Sequence, residues 1–207
     1  ENQKNFPKNY VEELSQEFEV LKGQSLMKTS LGQISNILKK EKWIKEFRVS
    51  RDWPSELKIT ILPHQLSYLL TSQKKLSEGL FVPVTEGGEL LPEIDSRQAP
   101  SLALLMGDDF KKDVEKRKKA IELLKSMPAL GKMSSTKLSE VSYDRRDGYW
   151  IQLIDSNIKI TFGENDFAMK SARVSQVLDY LEKKDLKARV IDANLSKKVL
   201  VRLQQSQ

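Results

Sequence analysis

Cysteine is absent from the 207 residues, and histidine occurs once, as His64. The first absence excludes disulfides, thiolate nucleophiles and cysteine-held zinc or iron–sulfur sites. The second leaves too few imidazoles for a histidine-rich metal centre. Neither fixes a compartment, because oxidising and reducing spaces both tolerate a cysteine-free chain. Long apolar runs are missing too. The densest, Leu102-Ala103-Leu104-Leu105-Met106, is far too short to span a bilayer. There is no low-complexity segment and no repeat of fixed period. No nucleophile–base pair can be proposed, so an enzyme is the weakest functional class, and no cofactor or metal is expected.

What is present is an ordinary balance of 39% hydrophobic and 31% charged residues, enough to build real cores. Net charge is +6, from 35 basic and 29 acidic residues. That excess is modest and is explained by solubility alone. The basic run Lys111-Lys112, Lys116-Arg117-Lys118-Lys119 and Lys125 is expected to be a solvated helix face balanced by Asp113, Glu115 and Glu122. Nucleic acid is not an expected partner, since phosphate binding needs a larger unopposed patch. The chain begins at Glu1, so an upstream signal or membrane anchor is an expectation, with trimming as the bland alternative.

Period-two alternation dominates residues 43–62. Ile44, Phe47, Val49 and Arg51 fall on one strand; Leu57, Ile59 and Ile61 recur on the next, with Trp53-Pro54-Ser55-Glu56 turning between them. Tyr10, Val11, Leu14, Phe18 and Leu21 repeat at helical spacing, and Gly23 follows as a stop. Ser30 with Gln33 fits a capping box opening a second helix through Leu31, Ile34 and Leu38. Residues 1–9 form a polar lead-in, 10–64 a small domain of two helices on a short sheet, and 65–207 a larger domain. Its strands are expected at Ser67–Thr71, Gly79–Thr85, Glu89–Leu91, Lys137–Tyr143, Tyr149–Ile154, Ile158–Phe162, Lys187–Ile191 and Lys197–Leu203. Gly87-Gly88 suits a hairpin turn. One helix follows Asp108 or Asp109, with Phe110, Val114, Ile121 and Leu124 on its apolar side. A last helix follows Asp166, with Phe167, Val174, Val177, Leu178 and Leu181 inward. The fold class is α+β: a two-helix, short-sheet domain followed by a mostly antiparallel β domain with two helices. His64 is expected as a polar linker residue. Trp43 and Trp53 are expected to pack at strand ends, and Asp144, Asp147, Asp155 and Asp166 to serve turns and caps.

These residues resemble a family, the extracytoplasmic part of the bacterial cell-division proteins FtsQ and DivIB. The resemblance rests on Gly23, Leu26, Leu31, Ile34, Leu38, Trp43-Ile44, Val49, Arg51, Pro54, Leu57 and Ile59. It continues through Gly88 with Leu91-Pro92, Trp150-Ile151-Gln152-Leu153, Ile158–Gly163 and Val190-Ile191-Asp192. It implies a POTRA domain, then a β domain, in a single-pass inner-membrane protein whose anchor lies upstream and whose bulk lies in the periplasm. The implied role is non-enzymatic: a scaffold of the division complex that holds the small coiled-coil proteins FtsB and FtsL. The family's opening Val-x-Gly strand has no counterpart in Glu1–Pro7. Where the family shows Asp-Leu-Arg-Tyr, this chain keeps only Asp192 of Asp192-Ala193-Asn194-Leu195. A POTRA-containing component of membrane protein transport or assembly is the alternative.

The expected binding site is the last strand. Val199, Val201 and Leu203 would lie on one face, and Lys198, Leu200 and Arg202 on the other. If the strand is a sheet edge, its free backbone groups can take up another chain's strand. The resemblance places FtsB there, adds Asp192 and Leu195, and suggests Arg145 and Arg146 before Trp150 as partners for an acidic group. An ordinary terminal strand closing the core, and a solvated turn at Arg145-Arg146, are the competing explanations. The strand Leu57–Leu62 would be offered to other division or membrane partners.

Overall fold

The computed structural model describes Pro7 and residues 10–19, 30–52, 56–195 and 198–204. The expectations for Leu21, Gly23, Leu26 and Trp53-Pro54-Ser55 lie outside the described residues.

Helix α1 (Tyr10–Glu19) starts where the Tyr10 N–H donates to Pro7 O at 3.1 Å, and it buries Tyr10 and Leu14, one turn apart. Glu12 and Glu13 sit in its first turn, where the helix dipole favours negative charge. Helix α2 (Leu31–Lys40) is capped as expected: Ser30 Oγ accepts from the Gln33 N–H at 3.4 Å, and Ile34 and Leu38 are buried. Strands β1 (Ile44–Asp52) and β2 (Glu56–Pro63) pair antiparallel with Val49 opposite Ile59. The Tyr10 hydroxyl donates to Glu41 Oε2 at 2.7 Å while its ring rests 6.2 Å from that of Trp43, which is buried at the head of β1. The core so formed takes in Leu69, Leu91 and Ile94 from beyond residue 65.

The remaining strands are β3 (Leu66–Thr71), β4 (Leu80–Thr85), β5 (Ile94–Asp95), β6 (Leu104–Met106), β7 (Leu138–Asp144), β8 (Gly148–Leu153), β9 (Lys159–Gly163), β10 (Ala188–Asp192) and β11 (Leu200–Leu203). They form one sheet in the order β11-β10-β9-β8-β7-β6-β3-β4-β5. Hairpins make most neighbours antiparallel, but β6 lies parallel to both β3 and β7, and β10 parallel to β9. The β9–β10 connection runs through helix α6 (Phe167–Lys183), as a parallel pair requires. Together with helix α5 (Val114–Ser126), α6 covers one sheet face, burying Tyr68, Leu105, Val141, Ile151, Ile160 and Ile191. Alternation along β3 serves both cores, with Tyr68 and Leu70 toward this one and Leu69 toward the first.

Several expectations shift. The helix after Asp109 is two: α4 (Asp109–Lys112) and α5, broken at Asp113, whose Oδ1 accepts from Glu115 N at 2.9 Å and Lys116 N at 3.1 Å. A side chain that caps its own backbone ends one helix and starts another, so Val114 is exposed instead of inward. Arg117 is no part of a solvated face. It is buried and donates from Nε to Gly88 O at 2.6 Å and from Nη1 to Phe110 O at 2.6 Å. Glu89–Leu91 contributes a single bridge, Val84 to Leu90, while Gly88 N donates to Thr85 O at 2.9 Å to close the turn. Asp166 precedes α6 in left-handed backbone and makes no side-chain cap bond. A short helix α3 (Gln73–Glu78) and the strand β6 within the Leu102–Met106 run had no expectation attached. The final strand starts at Leu200, not Lys197; Ser196 and Lys197 lie outside the described residues.

Two glycines fix the β8–β9 junction. Gly148 and Gly163 both have positive φ, and a Cβ on Gly148 would sit 2.6 Å from the Gly163 backbone. Gly148→Ala therefore cannot be relieved by a side-chain shift. It should cost about 2–4 kcal/mol of stability by urea denaturation; an unchanged midpoint would contradict this packing.

Three buried phenols give a pH prediction. Tyr10, Tyr68 and Tyr149 donate to Glu41 Oε2 at 2.7 Å, Ala120 O at 2.9 Å and Lys116 O at 3.1 Å, and burial raises the pKa of each. The folded chain then holds more protons than the unfolded chain above about pH 10, so their contribution is complete below that pH and lost above it. Lys170, whose pKa is lowered by burial, works in the opposite sense. One lysine against three tyrosines leaves a net loss. Stability should fall from about pH 9 to about pH 11, less steeply in Tyr68→Phe; equal slopes for the two proteins would refute the assignment.

Candidate partner-binding edge

Strand β11 ends the nine-stranded sheet. Among the described residues it pairs only with β10, from Leu200 opposite Asp192 to Leu203 opposite Ala188. Just beyond it, Gln204 N donates to Lys187 O at 2.7 Å. Backbone direction alternates along a strand, so Arg202 and Leu200 bond inward, and the N–H and C=O of Val201 and Leu203 point to the outer margin. The flanks are apolar for a surface: Tyr180, Leu186, Leu195, Leu200 and Leu203 are all large, exposed hydrophobics.

The two sides of this margin differ in chemistry. On the helix side, Val177, Tyr180, Leu181 and Leu186 face Val201 and Leu203 across a groove of about 570 Å³, with Arg173 and Lys198 also on its wall. Val199 and Val201 pack partly into the core. On the opposite side, Arg146, Lys159 and Arg202 gather with Asp147, Asp192, Asn194 and Leu200 around a polar recess of about 360 Å³. Three cations face two carboxylates there. Lys159 Nζ lies 3.6 Å from Asp147 Oδ2 and 4.9 Å from the centre of the Trp150 ring. The turn carrying Arg146 is held by Asp144, whose Oδ1 accepts from Arg146 N at 2.8 Å and Asp147 N at 3.1 Å. Those bonds lower the pKa of the Asp144 carboxyl. A groove of about 800 Å³ lies elsewhere, among Leu66, Leu104, Leu124 and Leu138, and none of the expected site residues lines it.

Residues 10–62 match the POTRA domain, FtsQ-type, and residues 75–194 match the cell division protein FtsQ/DivIB, C-terminal, over more than half of the chain. The chain belongs to the FtsQ/DivIB family of cell-division proteins. It is similar to the cell division protein FtsQ of Geobacter sp. (strain M21), at 25% identity over 185 residues, 87% of this chain and 66% of that protein. The chain thus spans just under two thirds of that relative. The FtsQ/DivIB family is one of cell-division scaffolds and not a known enzyme class. β11 lies past residue 194, outside both matched segments.

Asp192, Leu200 and Arg202 converge with Arg146 on the polar recess, while Lys198, Val199, Val201 and Leu203 line the apolar groove. Arg145 is exposed and is not among the recess residues. Leu195 is exposed and lines neither hollow. His64 lies between β2 and β3, its Nδ1 3.9 Å from Glu89 Oε2. Sequence reasoning did not single out Lys159, Asn194, Tyr180 or Leu186 for the site. Tyr180 carried a usable signal, because it departs from the apolar stripe of Val174, Val177, Leu178 and Leu181 yet is aromatic. Among the described residues no helix is long and apolar enough to cross a membrane, and no cluster of three or more metal-ligating side chains occurs.

Proposed function

We propose that this chain is the extracytoplasmic part of a membrane-anchored, non-enzymatic division scaffold that captures FtsB, with FtsL, by adding a partner strand to β11. The single observation that carries this reading is the open outer margin of β11. An incoming strand bonds to the Val201 and Leu203 backbone, and its side chains alternate between the two sides. Those on the helix side enter the groove under Tyr180 and Leu186. Those on the other side meet Arg146, Lys159 and Arg202. The partner segment therefore alternates apolar and acidic residues. Affinity comes from the shared backbone ladder and the apolar anchor, and the charges contribute register and rate of encounter. Arg145 and Leu195 would contact flanking parts of the partner. The hairpin strand at Leu57–Leu62 would be a second site for other division or membrane partners. The anchor, lying upstream, would hold the chain in the periplasm at the inner membrane.

Calorimetric titration with an FtsB-like peptide tests the main site. Val201→Pro removes an outward donor, and binding should weaken about tenfold or more. Undiminished binding would exclude strand addition at this margin. Arg202→Glu should weaken binding by a smaller factor at low salt and lose its effect at high salt. A salt-independent loss would mean that Arg202 acts through packing instead of charge.

A further inference from the structure

The nine-stranded sheet has a notch where β6 joins it. β3 begins at Leu66 and β7 at Leu138, but β6 enters between them only at Leu104, opposite Leu69 and Glu140. The end of α5 and the connection to β7 wall this notch and make it the groove of about 800 Å³. Both flanking strands skip a serine in their pairing, Ser67 in β3 and Ser139 in β7. Such a bulge re-aims its side chain, and both serines line the groove, together with Ser101 and Ser135. None of these four hydroxyls has a hydrogen-bond partner among the described residues. Ser67 is only 5% exposed. No described side-chain polar atom is both buried and unbonded, so that small exposure includes the Ser67 hydroxyl, and it opens on the groove. Lys125 is the one charged residue on the wall, and it has no ion pair among the described residues. Leu66, Leu102, Leu124, Met127 and Ile154 give the wall its apolar part.

The geometry points to a binding site for an anionic amphiphile, a single alkyl chain ending in a carboxylate. Small-molecule sites are mostly apolar, with a few polar groups that fix the ligand's orientation. Here the alkyl chain lies against the leucines and Met127, and water leaves both surfaces. The head takes the Lys125 ammonium and the serine hydroxyls, whose donors are otherwise unspent. A charged acceptor strengthens each of those bonds. No carboxylate lines the groove, so nothing there repels the head, whereas a cationic head would face Lys125. A wholly apolar guest would cover the Ser67 hydroxyl without pairing it, and a wholly polar one would gain nothing from the leucine wall. The groove shares no residue with the two hollows beside β11, so this site does not depend on the function proposed above.

Calorimetric titration of the whole chain with dodecanoate, kept below its micelle concentration, tests it. Binding should saturate at about one molecule per chain. Dodecyltrimethylammonium, with the same chain and the opposite charge, should bind about fivefold more weakly or less. Lys125→Glu should weaken dodecanoate about fivefold or more at low salt, and the loss should shrink at high salt. Ile154→Asp, which sets a charge on the apolar rim, should weaken it by a similar factor. Lys125 and Ile154 are both exposed, so unchanged melting curves check that the fold survives. Leu203→Asp, beside β11, should leave dodecanoate binding as it is. Absence of saturable binding overturns the proposal. So does equal affinity for the two amphiphiles, or an effect of Ile154→Asp without one of Lys125→Glu, since either rejects the anionic head. Binding that ignores both variants, or that is lost in Leu203→Asp, would put the amphiphile elsewhere and overturn the assignment of this groove.

Discussion

Every part of this molecule that bears on binding depends on where backbone hydrogen bonding stops. A sheet that does not close on itself must end in strands with unspent donors and acceptors. Here the end is set by α6. Because that helix carries the chain across the sheet, β10 enters parallel to β9, and the short connection after Asp192 can only fold β11 back along β10. No described strand follows to cover it. The other end is treated differently: β5 is two residues long and presents little backbone.

The same crossover gives the β11 margin its two chemistries. α6 packs on one face and brings Val177 and Tyr180 alongside the edge, joined by Leu186 just after the helix, so that side is apolar. The other face is covered by the first core only around Leu69, Leu104 and Phe81. Beyond that cover the sheet carries Gln152, Lys159, Thr161, Asp192 and Arg202 along successive strands. A sheet half covered by a second layer thus becomes a surface with a polar half. The glycine pair Gly148–Gly163 lets β8 and β9 approach beside the Arg146 turn, and Gly163 leaves room for Asn194, from which a Cβ would be 1.9 Å away.

Much of this was legible in the residue pattern. The β1 and β2 alternation, the Ser30 cap and the apolar stripe of α6 are local signals, and each produced the element expected of it. What was misread came from competition between local rules. Asp113 caps α5 and breaks a helix that hydrophobic spacing alone would continue. Arg117 looks solvated in a run of lysines, yet three backbone carbonyls, Gly88 O, Phe110 O and Lys111 O, draw it inside. β6 is three residues in a short apolar run, where period cannot separate strand from buried coil.

By itself the sequence determined most of the element types, the absence of any thiol and of a histidine-rich centre, and the apolar character of the last strand. These depend on side-chain chemistry and on spacing along a few residues. Only the tertiary structure decided that β11 is terminal, that Arg146, more than fifty residues away, shares a recess with Arg202, and that Tyr180 roofs a groove beside Leu203. Strand order is set by how crossovers pack a whole sheet against its helices. That is a property of contacts distant in the chain, and it leaves no mark on any local window of residues.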